Sequence, residues 1–169
     1  MTNDITTTQQ ALRLLQAGID PLTCNLLESQ GKLMRRSAQE NCPPGLLFFL
    51  DNTNNKADIM GFPRDSFENQ KKYMKKFQVT PLWTSCALME TIPDSPNQSI
   101  SLTRGGYDMS HLIDPAEDGY VSDTYFALYE YEDLERDLYI DRTFGGDSYI
   151  EAVTNMVIAY LTEIKPQIG

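Results

Sequence analysis

From Ser148 to Ile164 the apolar residues of this chain recur with a helical period. Ile150, Val153, Val157, Leu161 and Ile164 share one stripe of such a helix. Ser148 and Glu151 have the spacing of a capping box, Gly145-Gly146 break the chain ahead of it, and Pro166 is expected to close it. A stripe this apolar is stable only against a second apolar surface. The residues just upstream supply one with a period of two. Thr124–Tyr131 alternates, with Phe126 and Leu128 on one face and Tyr125, Ala127, Tyr129 and Tyr131 on the other. Leu138 and Ile140 alternate with Asp137, Tyr139 and Asp141. The two runs flank Glu132-Asp133-Leu134-Glu135, which predicts a β-hairpin. A helix over 123–138 is the competing reading, because Tyr125, Leu128 and Tyr129 also fit helical spacing.

The first half carries its own signals. Thr6 and Thr7 each stand three residues ahead of a glutamine, Gln9 and Gln10, at capping-box spacing. Ala11, Leu12, Leu14 and Leu15 give the helix an apolar face, and Gly18 suits its left-handed end. Asp20-Pro21 marks a turn able to start a short new segment. Residues 22–41 are ambiguous: Leu22, Leu26, Leu27, Leu33 and Met34 are compatible with a broken helix interrupted by Gly31, and Cys42-Pro-Pro-Gly45 is a stop. Leu46–Leu50 is a short continuous apolar run, best read as a buried strand, and Ile59–Phe62 as its return strand after the Asn52–Asn55 loop. Asp65 or Ser66 is expected to cap a basic helix through Phe77, with Lys71, Lys72, Lys75 and Lys76 on its solvated side. Thr80-Pro81 predicts a further helix start carrying Trp83 as a core anchor and ending before Pro93.

The predicted fold is therefore α+β, a single domain over 1–169. An antiparallel sheet built mainly from 46–62 and 99–143 packs against the N-terminal, central (Trp83) and C-terminal helices. With 169 residues, 41% hydrophobic and 22% charged, the chain has material for a core without metals or disulfides. Its three cysteines, Cys24, Cys42 and Cys86, form no C-x-x-C and are expected as free, buried or half-buried thiols in a reducing cytoplasm. No run of 18 apolar residues is present, and the N-terminus, with an acid and no apolar core, does not read as a secretory signal.

Catalytic motifs are missing. His111 is the only histidine, and Ser110, His111 and Asp114 are too close in sequence to meet as a triad. The stretches starting at Asp51 and Asp114 resemble calcium loops but lack the required residues: Lys56 and Phe62 in the first, Ala116 and Tyr125 in the second. No phosphate-binding glycine loop occurs, since Gly105-Gly106 and Gly145-Gly146 are isolated pairs. No catalytic residue, metal or cofactor is assigned.

Charge is the remaining signal. Net charge is −10: residues 1–90 hold 9 acids and 10 bases, for +1, and residues 91–169 hold 15 acids and 4 bases, for −11. Such a surface repels nucleic acid and anionic lipid. The expected partner is a protein, a basic one in particular, bound at an acidic, tyrosine-rich face made of Glu130, Glu132, Asp133, Glu135, Asp137, Tyr129 and Tyr131. An acidic decoy for a nucleic-acid-binding protein is one form of this. A self-assembling component and a small carboxylate-dependent enzyme are the alternatives.

Two stretches carry a family resemblance. Thr6–Gln9 running on through Leu14–Thr23, and Pro81–Pro93, resemble the signature segments T-T-x-x-Q…L-L-x-x-G-L-x-P-x-T and P-x-W-S-x-x-A-L-L-x-x-M-P. These mark a family of small uncharacterised proteins on prophages and mobile elements of gut anaerobic bacteria. Gly145–Val153 resembles the glycine-rich turn and helix that end its members. Thr84-Ser85 departs from the usual serine, and 22–77 is longer than the family pattern. The resemblance implies an α+β fold and a mobile-element origin. It supplies no activity and no functional residue.

Overall fold

The structure is a computed structural model that describes residues 4–36, 46–51, 57–104 and 125–169; for 36, 46–51 and 57–61 the backbone alone is described. Cys42, Gly105-Gly106, His111 and the acidic residues 114–123 fall outside the described residues, as do the loops in the two calcium-like stretches. The architecture is α+β, and the chain divides into two compact units, Ile5–Thr91 and a second that begins at Ile92.

In the first unit, α1 (Thr8–Ala17) starts at a complete capping box: Thr7 Oγ1 accepts the Gln10 N–H and Gln10 Oε1 accepts the Thr7 N–H. Gly18, at φ +97°, ends it in the left-handed conformation. Asp20 then caps a single 3-10 turn, Pro21–Thr23, through the Leu22 N–H.

Beyond that turn, residues 26–36 do not form the broken helix that their leucines are compatible with. They make a hairpin of β1 (Leu26–Ser29) and β2 (Lys32–Arg36). Its two turn residues, Gln30 and Gly31, both have positive φ, which matches the twist of the flanking strands and outweighs the helical spacing of the leucines. β3 (Leu46–Asp51) and β4 (Ala57–Gly61) pair as the sequence suggested. Ser66 caps α2 (Phe67–Phe77), whose four lysines are exposed.

Thr80-Pro81 does not start a helix. Both lie in β5 (Val79–Leu82), which pairs with β1 at the edge of the sheet β4-β3-β2-β1-β5. An edge strand is where a sheet tolerates a proline, because the missing N–H need not serve a neighbour. The helix α3 (Ser85–Glu90) begins three residues later, capped by Thr84.

Trp83 is fully buried between these elements. Its backbone N–H donates to Thr6 Oγ1, its carbonyl accepts from the Thr6 N–H, and its indole Nε1 donates to Thr23 Oγ1. One residue thereby ties together the α1 entry, the 3-10 turn and β5. Cys24 is buried, whereas Cys86 is exposed rather than half-buried, since it lies on the outer side of α3.

The second unit holds a separate antiparallel sheet, ordered β6-β7-β8: β6 (Gln98–Arg104), β7 (Tyr125–Asp133) and β8 (Leu138–Gly146). The strands within 46–61 and 98–146 thus lie in two sheets, not the single one expected; among the described residues no strand of one pairs with a strand of the other. The β7–β8 hairpin is formed, and the helical alternative over 123–138 is excluded.

Gly145-Gly146 do not break the chain but end β8, paired with Phe126 and Tyr125. A Cβ on Gly146 would stand 2.7 Å from the Glu151 Cβ, so glycine is what lets strand and helix approach. Ser148 Oγ accepts the Glu151 N–H to start α4 (Tyr149–Ala159). The helix runs past Pro166 instead of closing there. A π-helical turn, Tyr160–Ile164, precedes α5 (Lys165–Ile168), and Pro166 falls in the first turn of α5, where a missing N–H is tolerated.

Ala127, Tyr129, Tyr131, Ile140 and Phe144 on the sheet, and Ile150, Val153, Met156, Val157, Tyr160 and Ile164 on the helix, are all buried. Each such large side chain contributes about 1.5–3 kcal/mol when removed from water.

Candidate protein-binding face

Strand parity sorts the seven residues proposed from the sequence. Cross-strand pairing puts Ala127, Tyr129 and Tyr131 beside Phe144, Arg142 and Ile140 on one face, and Glu130 and Glu132 beside Asp141 and Tyr139 on the other. The first face meets α4. Tyr129 and Tyr131, 0% and 7% exposed, are therefore core residues and not part of a binding face. The Tyr129 hydroxyl donates to Gln98 Oε1 at 2.8 Å and its ring lies 6.1 Å from that of Tyr160. Burial, then the neighbouring Tyr160 and Tyr131 hydroxyls, push its pKa up to about 12.

The other face is acidic at its Glu130 end, while Phe126, of the same parity on β7, is buried at 1% exposed. Glu130 lies directly opposite Asp141, and Glu132 opposite Tyr139. Tyr139 is 58% exposed. Its hydroxyl stands 3.3 Å from Glu130 Oε1 and 3.5 Å from Asp141 Oδ2, one proton between two carboxylates. Desolvation first, then Asp141 and Glu130, raise the Tyr139 pKa above its ordinary value of 10.0.

The two arginines of the hairpin are held away from these acids. Arg142 projects from the inner face, lies 5.1 Å from the Phe144 ring and donates to Glu163 on the C-terminal helix. Arg136 donates from Nη1 to the Ile168 carbonyl at 2.7 Å and from Nη2 to the Gln167 carbonyl at 3.2 Å, satisfying the last carbonyls of that helix.

The hairpin tip completes the face. Asp133 Oδ1 accepts the N–H groups of Glu135 and Arg136, and Asp137 closes the turn at φ +49°. Leu134 sits on this fixed turn with 83% of its surface exposed, between Asp133 and Glu135. Glu135 and Asp137 are exposed and Asp133 half-buried. Of the seven residues expected, Glu130 and Glu132 share the strand face and Asp133, Glu135 and Asp137 lie at its tip. Tyr139, Asp141 and Leu134 were missed, although the alternation of Tyr139 and Asp141 with Leu138 and Ile140 was the signal that places them.

In the first unit a cleft of about 350 Å³ lies between the end of α1 and the start of α2, lined by Leu15, Ile19, Phe67 and Gln70 among others. Its charged groups are satisfied internally. Arg64 Nε and Nη2 donate to both oxygens of Asp20, and the Asp65 carboxylate accepts from Ser66 N–H and Asn69 Nδ2. Those two hydrogen bonds lower the Asp65 pKa.

Among the described residues no group of three or more His, Cys, Asp or Glu side chains is placed to hold a metal ion, and no helix is long and apolar enough to cross a membrane. No protein-family model matches the chain, and neither a curated protein nor a solved structure matches it.

Proposed function

We propose that this is a non-enzymatic accessory protein of a phage or mobile element that acts in the cytoplasm by binding a basic protein through the outer face and tip of the β7–β8 hairpin. The observation that carries this reading is the Glu130–Asp141 pair, which no cation among the described residues is seen to neutralise. Like charges directly opposite on adjacent strands destabilise a sheet. Here the two cations nearest in sequence are engaged with the C-terminal helix, and an exposed tyrosine sits between the acids. A fold that carries such a local conflict on a rigid surface has a reason outside its own stability.

The composition of the face supports a protein partner. Tyrosine is enriched where one protein anchors on another, and a pre-set turn presents Leu134 without ordering cost. Carboxylates around both anchors favour lysine and arginine on the partner and set the encounter rate. The mobile-element origin rests on the family resemblance of the Thr6–Thr23 and Pro81–Pro93 segments.

The test is affinity capture from a lysate of the bacterium carrying the gene, with wild type and two variants as bait. The expected result is a basic protein that wild type retains, that elutes as salt rises, and that both Tyr139→Ala and the triple variant Glu130→Gln/Glu132→Gln/Asp141→Asn fail to hold. Equal capture by folded variants overturns the reading.

A further inference from the structure

The β6 edge of the three-stranded sheet points to a second copy of this chain. β6 is Gln98-Ser-Ile-Ser-Leu-Thr-Arg104, paired on one side to β7; among the described residues no strand lies on its other side. Edge strands are ordinarily protected by an inward charge, a proline or a bulge. From Ser99 to Thr103 this one has none: two serines, an isoleucine, a leucine and a threonine in unbroken register with β7. Leu102 lies on the inner, apolar parity, opposite the buried Ala127, yet is 37% exposed. The opposite edge, β8, carries Asp141 and Arg142 in mid-strand.

We propose that two copies pair antiparallel through β6, in the register that sets Ser101 against Ser101. That register matches all seven residues of the strand. It puts Ile100 against Leu102 of the second copy on the inner face, which covers the exposed leucine. It puts Ser99 against Thr103 and Ser101 against itself on the outer face, where hydroxyl pairs are favourable. Gln98 meets Arg104, and no like charges are opposed. Parity is preserved, so each face of one sheet joins the like face of the other. The contact is isologous and closes at two copies. Both hairpins then present their acidic faces on the same side of one continuous sheet. This goes beyond the binding reading above and does not depend on it.

The interface is a single strand pair, so a concentration-dependent dimer is expected. Sedimentation velocity of the full chain over a concentration series is the measurement. Wild type is expected to move from monomer toward twice the chain mass. Ser101→Lys and Ser101→Glu, at an exposed site, are each expected to stay monomeric while keeping wild-type circular dichroism and the Tm that wild type shows at concentrations where it is monomeric. Mixing the two is expected to restore a dimer, because residue 101 faces its own counterpart. Hydrogen exchange should show alternate β6 amides gaining protection as concentration rises. A wild type that is monomeric throughout overturns the proposal, and so does a dimer that Ser101→Lys leaves intact. Loss of basic-protein capture with an intact β6 dimer would fault the acidic-face reading alone.

Discussion

Glu130 and Asp141 lie directly opposite each other on β7 and β8, and the Tyr139 hydroxyl stands within 3.5 Å of a carboxylate oxygen of each. Two negative charges at this separation repel, and the tyrosine proton can serve only one at a time. Replacing one acid should therefore stabilise the fold. Glu130→Gln is expected to gain about 0.2–1 kcal/mol in urea unfolding, more at low salt than at high salt because the pair is exposed and screened. A destabilised Glu130→Gln would mean that the carboxylate holds Tyr139 more than it repels Asp141.

Thr154 is fully buried in α4 and its hydroxyl has no hydrogen-bond partner among the described residues. A buried unpaired hydroxyl costs about 1–3 kcal/mol relative to an apolar group of the same shape. Thr154→Val keeps the β-branched shape and removes the polar atom. It is expected to raise stability by about 1 kcal/mol, read as a shift in urea midpoint at constant slope.

Gly146 is fixed by packing. Any side chain would meet Glu151 Cβ at 2.7 Å and the Ala152 backbone nitrogen at 2.8 Å, at the point where β8 hands over to α4. Gly146→Ala is expected to cost about 1–3 kcal/mol, as overpacking does in a tight interior. A thermal melt at neutral pH checks it. Gly145→Ala, at an exposed neighbour in the same strand, is the control and should cost less.

The buried Tyr129 makes stability depend on alkaline pH. Its folded pKa is pushed up to about 12 from 10.0, so the folded state keeps a proton that the unfolded chain releases. The contribution is complete below pH 10 and is lost as pH rises through about 12. Tm is expected to fall across that window, and the fall should be shallower in Tyr129→Phe. At neutral pH the same variant should be slightly less stable, through loss of the Gln98 hydrogen bond.

Local chemistry was legible in the sequence wherever the decisive interactions are a few residues apart. The Thr7–Gln10 box, the Gly18 cap, the Ser66 and Ser148 caps and the β7–β8 alternation all stand where the residues put them. Thr80-Pro81 was misread because the same dipeptide suits a helix start and an edge strand, and only pairing with Leu27 and Glu28 decides between them. The 22–36 hairpin was missed because its leucines fit helical spacing, while the deciding features were positive φ at Gln30 and Gly31 and the strands on either side.

The sequence by itself determined an α+β chain with an acidic C-terminal half, since composition and periodicity are properties of neighbours along the chain. Tertiary structure decided which side of β7 is core from Ala127 to Tyr131, while Phe126 on the opposite side is buried as well. Tyr129 and Tyr131 went inward because the apolar face of α4 covers that parity, and Glu130 was left outside with Asp141 and Tyr139 from the next strand. Tertiary structure also decided that, among the described residues, the acidic face stays without a neutralising cation. Arg136 and Arg142 are adjacent to it in sequence, but the carbonyls and Glu163 of the C-terminal helix hold them elsewhere. A binding face is made of residues that converge in space, and one-dimensional spacing does not encode which partner a long side chain will reach.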